Sequence, residues 1–256
     1  MAQWSHFGRW PRGELHDEKG LLWFETPIRH LPYNGVLRTR LEDGSSADAT
    51  ISTVMERFRA RDAQVFWAVH PSATPSDLAE RLAAHGLRPV ERMNCMSLEL
   101  DRWEPTPLPD DVAFEEVVDD AGMEAYTELT LRYWEIPDDE RELVAEVHRH
   151  WGPGRVSGHR YLARSNGEAI AKAYLSLAGP PGVGSIYGMS VVPEARGRGV
   201  AGGLTTTLLV RAREAGCHRA VLHSTDMAVG VYRRAGFVDR CPIQVFATAS
   251  IWSDEH

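Results

Sequence analysis

Apolar and polar positions along this chain keep two periods in turn, one of two residues and one near 3.6. Residues 21–27 (LLWFETP) and 34–41 (NGVLRTRL) read as strands. Residues 46–62 then take the helical period, with Ile51, Val54, Met55 and Phe58 on one face. A strand at 65–70 (QVFWAV), a helix at 75–86 and a strand at 95–100 (CMSLEL) follow. Three prolines among the acids of 101–111 mark a linker.

Beyond the linker the alternation resumes. The pattern predicts a strand at 112–118, helices at 121–134 and 139–151, and strands at 161–165 and 168–179. Asn166-Gly167 between the last two is the favoured two-residue hairpin turn. A strand at 185–192, a helix at 199–215, a strand at 219–223, a helix at 226–235 and a strand near 243–249 complete the chain. The order predicts an α/β (α+β) protein in two parts, 1–104 and 105–256, each a mixed, largely antiparallel sheet flanked by helices. A weak internal echo supports related halves: residues 83–98 and 233–248 both run helix end, glycine, apolar residue, turn and strand. Their glycines, Gly86 and Gly236, have the character of left-handed helix caps.

Composition narrows the function classes. The 256 residues carry a formal net charge of −8, which argues against general nucleic-acid binding, whose affinity comes from a basic surface. Three scattered cysteines, Cys95, Cys217 and Cys241, support neither a disulfide framework nor a zinc pattern and fit a reducing compartment. The first residues lack the apolar core of a signal peptide, and no stretch has the length of a membrane span. A cytoplasmic protein without nucleic-acid or membrane partners is expected.

The stretch VVPEARGRGVAGG (191–203) holds two overlapping glycine patterns. From Gly197 it is a literal G-x-G-x-x-G; from Arg196 it is R-x-x-G-x-A. Either lets backbone amides at a helix start approach a phosphate. Asp226 even stands where a dinucleotide fold wants an acid, but that fold puts its fingerprint on the first strand and builds a parallel sheet after it. Too little chain follows Gly202 here. The nearby GPPGVG (179–184) lacks the Lys-Ser/Thr of a P-loop.

Val191 to Ala201, followed some thirty residues later by the helix MAVGVYRRAGF (227–237), resembles the two signatures of the GNAT acyltransferase superfamily over roughly residues 112–250. The first half resembles a degenerate copy, as in tandem members: it has no R-x-x-G-x-A, and Leu82 stands at the position of Tyr232. The resemblance implies a single reaction site using acetyl-CoA or another acyl-CoA as co-substrate, without a metal. Met189, Ser190 and Val191 would run along the pantetheine arm. Arg196, Gly197, Arg198, Gly199, Val200, Ala201 and Gly202 would hold the pyrophosphate. Tyr232 would protonate the departing thiolate, and Thr225 stands where the family often carries Asn.

A small-molecule amine is the implied acceptor. An acyl-carrier protein as donor and a non-catalytic acyl-CoA sensor are the alternatives. The residue that deprotonates the amine is not legible; His223, at the end of a strand entering the cleft, is the first candidate, with Glu135, Asp138 and Asp139 behind it. His148 and His150 project about 200° apart on a helix, so they cannot readily share a metal. Trp4, Trp10, Trp23 and Trp67 read as core packing rather than a ligand pocket.

Overall fold

The computed structural model describes residues 4–42, 44–154 and 158–250. In chain order the elements are β1 (Glu14–Glu18), β2 (Leu21–Glu25), β3 (Gly35–Thr39), α1 (Gly44–Arg59), β4 (Phe66–Val69), α2 (Leu78–Ala84) and β5 (Arg88–Glu99). These are followed by β6 (Ala113–Glu116), α3 (Asp120–Tyr133), α4 (Arg141–His150), β7 (Gly158–Ser165), β8 (Glu168–Ser176) and β9 (Val183–Val191). The chain ends with α5 (Val200–Glu214), β10 (Arg219–Thr225), α6 (Val229–Arg234) and β11 (Val238–Ala247). The fold is the mixed α/β arrangement expected from the alternating periods. Strand β1 is an addition: its polar run ELHDE has no apolar face, and backbone pairing with β2 makes it a strand.

The chain forms two compact units, residues 1–93 with 136–143 and 242–256, and residues 94–135 with 144–241. In the first, β1, β2, β3 and β4 lie side by side and β11 completes the sheet, Gln244 opposite Val69 and Ala247 opposite Phe66. Its core sets Ile51, Val54, Met55 and Phe58 of α1 against Trp23, Val36, Trp67 and Leu82. Trp10, Trp23 and Trp67 are buried; the Trp4 side chain lies outside the described residues. The buried Glu140 carboxylate accepts from the backbone N–H groups of Arg29 and His30, at 2.8 and 2.9 Å, and from Arg29 Nε at 3.0 Å.

In the second unit the sheet order is β5, β10, β9, β8, β7, β6. Each unit therefore takes one strand from the far half of the sequence: β11 serves the first and the end of β5 the second. The β7–β8 hairpin turns at Asn166 (φ 50°) and Gly167 (φ 83°), as its dipeptide requires. One face of β7 and β8 is lined by Ala163, Ala171 and Ala173, small enough for Leu204 and Leu208 of α5 to pack closely. Leu162 on the opposite face meets Met123, Tyr126 and Leu129 of α3.

Candidate active site

Strands β9 and β10 run parallel from Arg219 opposite Val183 to Leu222 opposite Ile186, where their pairing ends. Strand β9 nevertheless continues to Val191 and β10 to Thr225, so the two part company beyond that point. Between Lys172 and Tyr174 of β8 the pairing with β9 shifts register, Tyr174 facing Tyr187 and Lys172 facing Ser190. The extra residue on β9 lies at Gly188–Met189, and Gly188 takes φ 57°, a left-handed conformation that suits glycine. A parted strand and a bulge turn unpaired backbone groups toward whatever enters the gap.

From the end of β9 the chain makes a 3-10 turn at Pro193–Ala195, and Arg196 is extended. Gly197 and Gly199 follow at φ 76° and 80°, and α5 starts at Val200 without a side-chain cap. The first amides of α5 thus lack a protein acceptor from a capping side chain, the condition under which a helix start binds anions. A Cβ at Gly202 would meet nothing within 4 Å, whereas one at Gly203 would strike the Phe114 ring at 2.3 Å. Gly203 is therefore needed for packing, and Gly202 leaves the helix start uncovered. Arg196 is exposed, its Nε 3.4 Å from the Val191 carbonyl. Arg198 is turned aside to Asp111 and, at 3.2 Å, to Ser165 Oγ.

Tyr232 on α6 is buried, edge-on to Phe237 at 5.9 Å, in the cluster against which Met189 and Val191 pack. Burial, reinforced by nearby Tyr133, pushes its phenol above the ordinary value, so it holds its proton. Thr225 ends β10; its carbonyl accepts from Ala228 N at 3.2 Å and from Ser224 Oγ at 2.8 Å. His223 lies two residues earlier at intermediate exposure. Of the acidic candidates, Asp138 and Asp139 belong to the first unit, Asp139 paired with Arg29 at 2.7 Å. Glu135 is exposed at φ 49°. His148 is held by Thr127 Oγ1 at 2.9 Å, and His150 lies edge-on to Trp151. Among the described residues the one cluster of three metal-ligand types is Glu14, His16 and Glu25 in the first unit. Arg57 and Arg61 already neutralise Glu25 there.

A group absent from the sequence-based candidates lies beside the bulge. Lys172 is 3 % exposed and donates to the Gly188 carbonyl at 3.1 Å, its ammonium 4.8 Å from the centre of the Tyr126 ring. Burial, and then the positive charge of Arg160, lower its pKa to about 7. Within the strand pattern IAKAYL the lysine reads as a solvent-facing residue; α3 covers that face and buries it.

Parted strands, an uncapped glycine-rich helix start and a buried phenol thus lie within one unit. Residues 123–237 match the acetyltransferase (GNAT) family. A mycothiol acetyltransferase of Arthrobacter sp. (strain FB24) is 25% identical over 203 residues, 75% of this chain and 62% of that protein. The chain thus spans about 62% of the length of that relative. A GCN5-related N-acetyltransferase from Kribbella flavida superposes with TM-score 0.71 at 20% identity, over 96% of this chain and 92% of that one. A tandem GNAT protein from the clavulanic acid biosynthesis pathway superposes at 0.64 with 16% identity, over 96% and 85%. The two structures share the fold.

Proposed function

We propose that this protein moves an acetyl group directly from acetyl-CoA to the amine of a small molecule, and that the half spanning 105–256 carries the reaction. The observation that bears most weight is the parting of β9 and β10 beyond Ile186 and Leu222, beside an α5 start with no capping side chain. Residues 189–191 would pair with the pantetheine amides as an added strand. Amides of Gly197 to Gly202, with Arg196, would hold the pyrophosphate, because a helix N-terminus and a guanidinium both favour it. Arg198 would support the loop through Asp111 before meeting any ligand. Thr225 would offer its hydroxyl to the cofactor.

Tyr232 would give its proton to the departing thiolate. A raised phenol pKa makes it a weak acid, but the thiolate leaves into the same desolvated surroundings, which raise its own proton affinity as well. Water exclusion around Tyr232 therefore works on both partners of the transfer. A backbone N–H of β9 near the bulge would polarise the thioester carbonyl as charge develops on its oxygen.

Calorimetric titration with acetyl-CoA, and thiol release followed over a panel of amino sugars, amino-acid esters and polyamines, test the reading. Binding of acetyl-CoA with amine-dependent thiol release supports it. Absence of binding, or binding only of an acyl-carrier protein, overturns the donor; tight binding without transfer to any amine overturns the reaction.

A further inference from the structure

The chain uses arginine almost throughout: of 28 lysine and arginine residues only Lys19 and Lys172 are lysine. Lys19 is exposed and pairs with Glu42 at 2.7 Å. Lys172 is the opposite case, a buried amine in the middle of β8. A guanidinium cannot give up its proton in a protein; a lysine amine can.

The surroundings of Lys172 come from four elements. Strand β7 supplies Arg160, whose guanidinium carbon lies 5.2 Å from the Tyr174 ring centre and 5.8 Å from that of Tyr126. Helix α3 supplies Tyr126, β8 supplies Tyr174, and β9 supplies the Gly188 carbonyl. Among the described residues no carboxylate pairs with Lys172, and the one charged neighbour, Arg160, has its own sign. Burial without a counter-charge beside a second cation favours the neutral amine. One N–H of that amine is committed to Gly188, and its lone pair remains.

Access is the second requirement. Gly188 is exposed on the bulge of β9, and a Cβ built there would stand 3.6 Å from both Lys172 Nζ and the Tyr126 hydroxyl. With no side chain at Gly188, the space its Cβ would fill stays free beside the amine, on the stretch of β9 that leads into the parted strands.

We propose that Lys172 accepts the proton that the acceptor amine sheds, relayed by a water at Gly188. This rests on the acyl-transfer reading above. The amine nitrogen bonds to the thioester carbonyl carbon, and the C–S bond breaks with its electron pair going to sulfur. The Tyr232 hydroxyl proton goes to that sulfur. The amine N–H proton passes to the water, which gives one of its own to Lys172 Nζ. The resulting ammonium is held by the Gly188 carbonyl and the Tyr126 ring. Solvent then returns one proton from Lys172 to Tyr232, and no net proton is gained or lost for a neutral amine.

Because the chain has two lysines, protein carrying lysine labelled with 13C at Cε gives two resonances. One is expected to titrate near pH 7 and to vanish in Lys172→Arg. With acetyl-CoA and the panel amine turned over fastest, Lys172→Arg and Lys172→Met are expected to lose at least 30-fold in kcat/KM at pH 7.5. They should also lose the wild-type rise of rate through pH 7, while binding acetyl-CoA with unchanged affinity. If Lys172→Met does not fold, Lys172→Arg and the titration decide. A Lys172 resonance titrating above pH 9, or a Lys172→Arg variant with wild-type rate and pH profile, overturns the assignment and leaves acyl transfer intact. A wild type that acylates no amine overturns both.

Discussion

Replacing Lys172 with methionine should make the stability difference between variant and wild type depend on pH, in a direction fixed by burial. The amine is 3 % exposed and its pKa falls from 10.5 to about 7 on folding. Each tenfold drop in proton affinity is worth about 1.4 kcal/mol, so relative to a neutral group folding loses about 5 kcal/mol at pH values below 7. The sign follows from proton binding: between pH 7 and 10.5 the unfolded chain holds the proton and the folded chain does not, so stability rises with pH across that window. The loss is almost complete at pH 6 and shrinks to about 1–2 kcal/mol at pH 9.5. Methionine has similar bulk and no charge, so it removes this dependence. It also leaves the Gly188 carbonyl without its donor, a cost that does not vary with pH. Urea unfolding at pH 6, 7.5 and 9.5 should show the variant losing about 3 kcal/mol relative to wild type as pH rises. A difference constant across that range means Lys172 is charged in the folded protein throughout, and the reasoning from burial fails.

Three further outcomes follow from the geometry. Gly203→Ala should lower stability by about 1–3 kcal/mol because its Cβ would meet Phe114 at 2.3 Å, whereas Gly202→Ala, with nothing within 4 Å, should hold or gain up to about 1 kcal/mol; urea midpoints compare the pair. Tyr232→Phe should leave the fold and acetyl-CoA affinity unchanged while slowing thiol release roughly 100-fold or more, measured at saturating acetyl-CoA. Glu140→Ala should strip acceptors from the Arg29 and His30 amides, destabilise by about 2–4 kcal/mol, and speed hydrogen exchange at those two amides.

What the sequence makes legible is what local chemistry decides. The Asn166-Gly167 turn, the apolar face of α1 and the start of α5 after its glycines are written in a few adjacent residues. What it hides depends on residues far away. Strand β11 reads as the last strand of the second half, yet its end pairs with β4, because register and partner are settled by which sheet edge stands open. Lys172 reads as solvent-facing until α3 covers it, and Glu140 as one acid among several until it meets the amides of residues 29 and 30.

The echo at an offset of 150 residues shows where local form ends and chemistry begins. Gly86 and Gly236 both take left-handed conformations, φ 91° and 98°. The N–H of Gly86 bonds the Ala83 carbonyl and that of Leu87 the Leu82 carbonyl; Gly236 and Phe237 bond Arg233 and Tyr232 in the same way. Two helix ends with matching backbone bonds thus carry Leu82 and Tyr232 at the same place, both buried. Leucine there can only pack; tyrosine packs equally well and brings a proton. On the acyl-transfer reading proposed above, the backbone that the two halves share would confer no reactivity by itself. What distinguishes the second half is the side chain at that helix end, joined with glycines that leave the start of α5 bare.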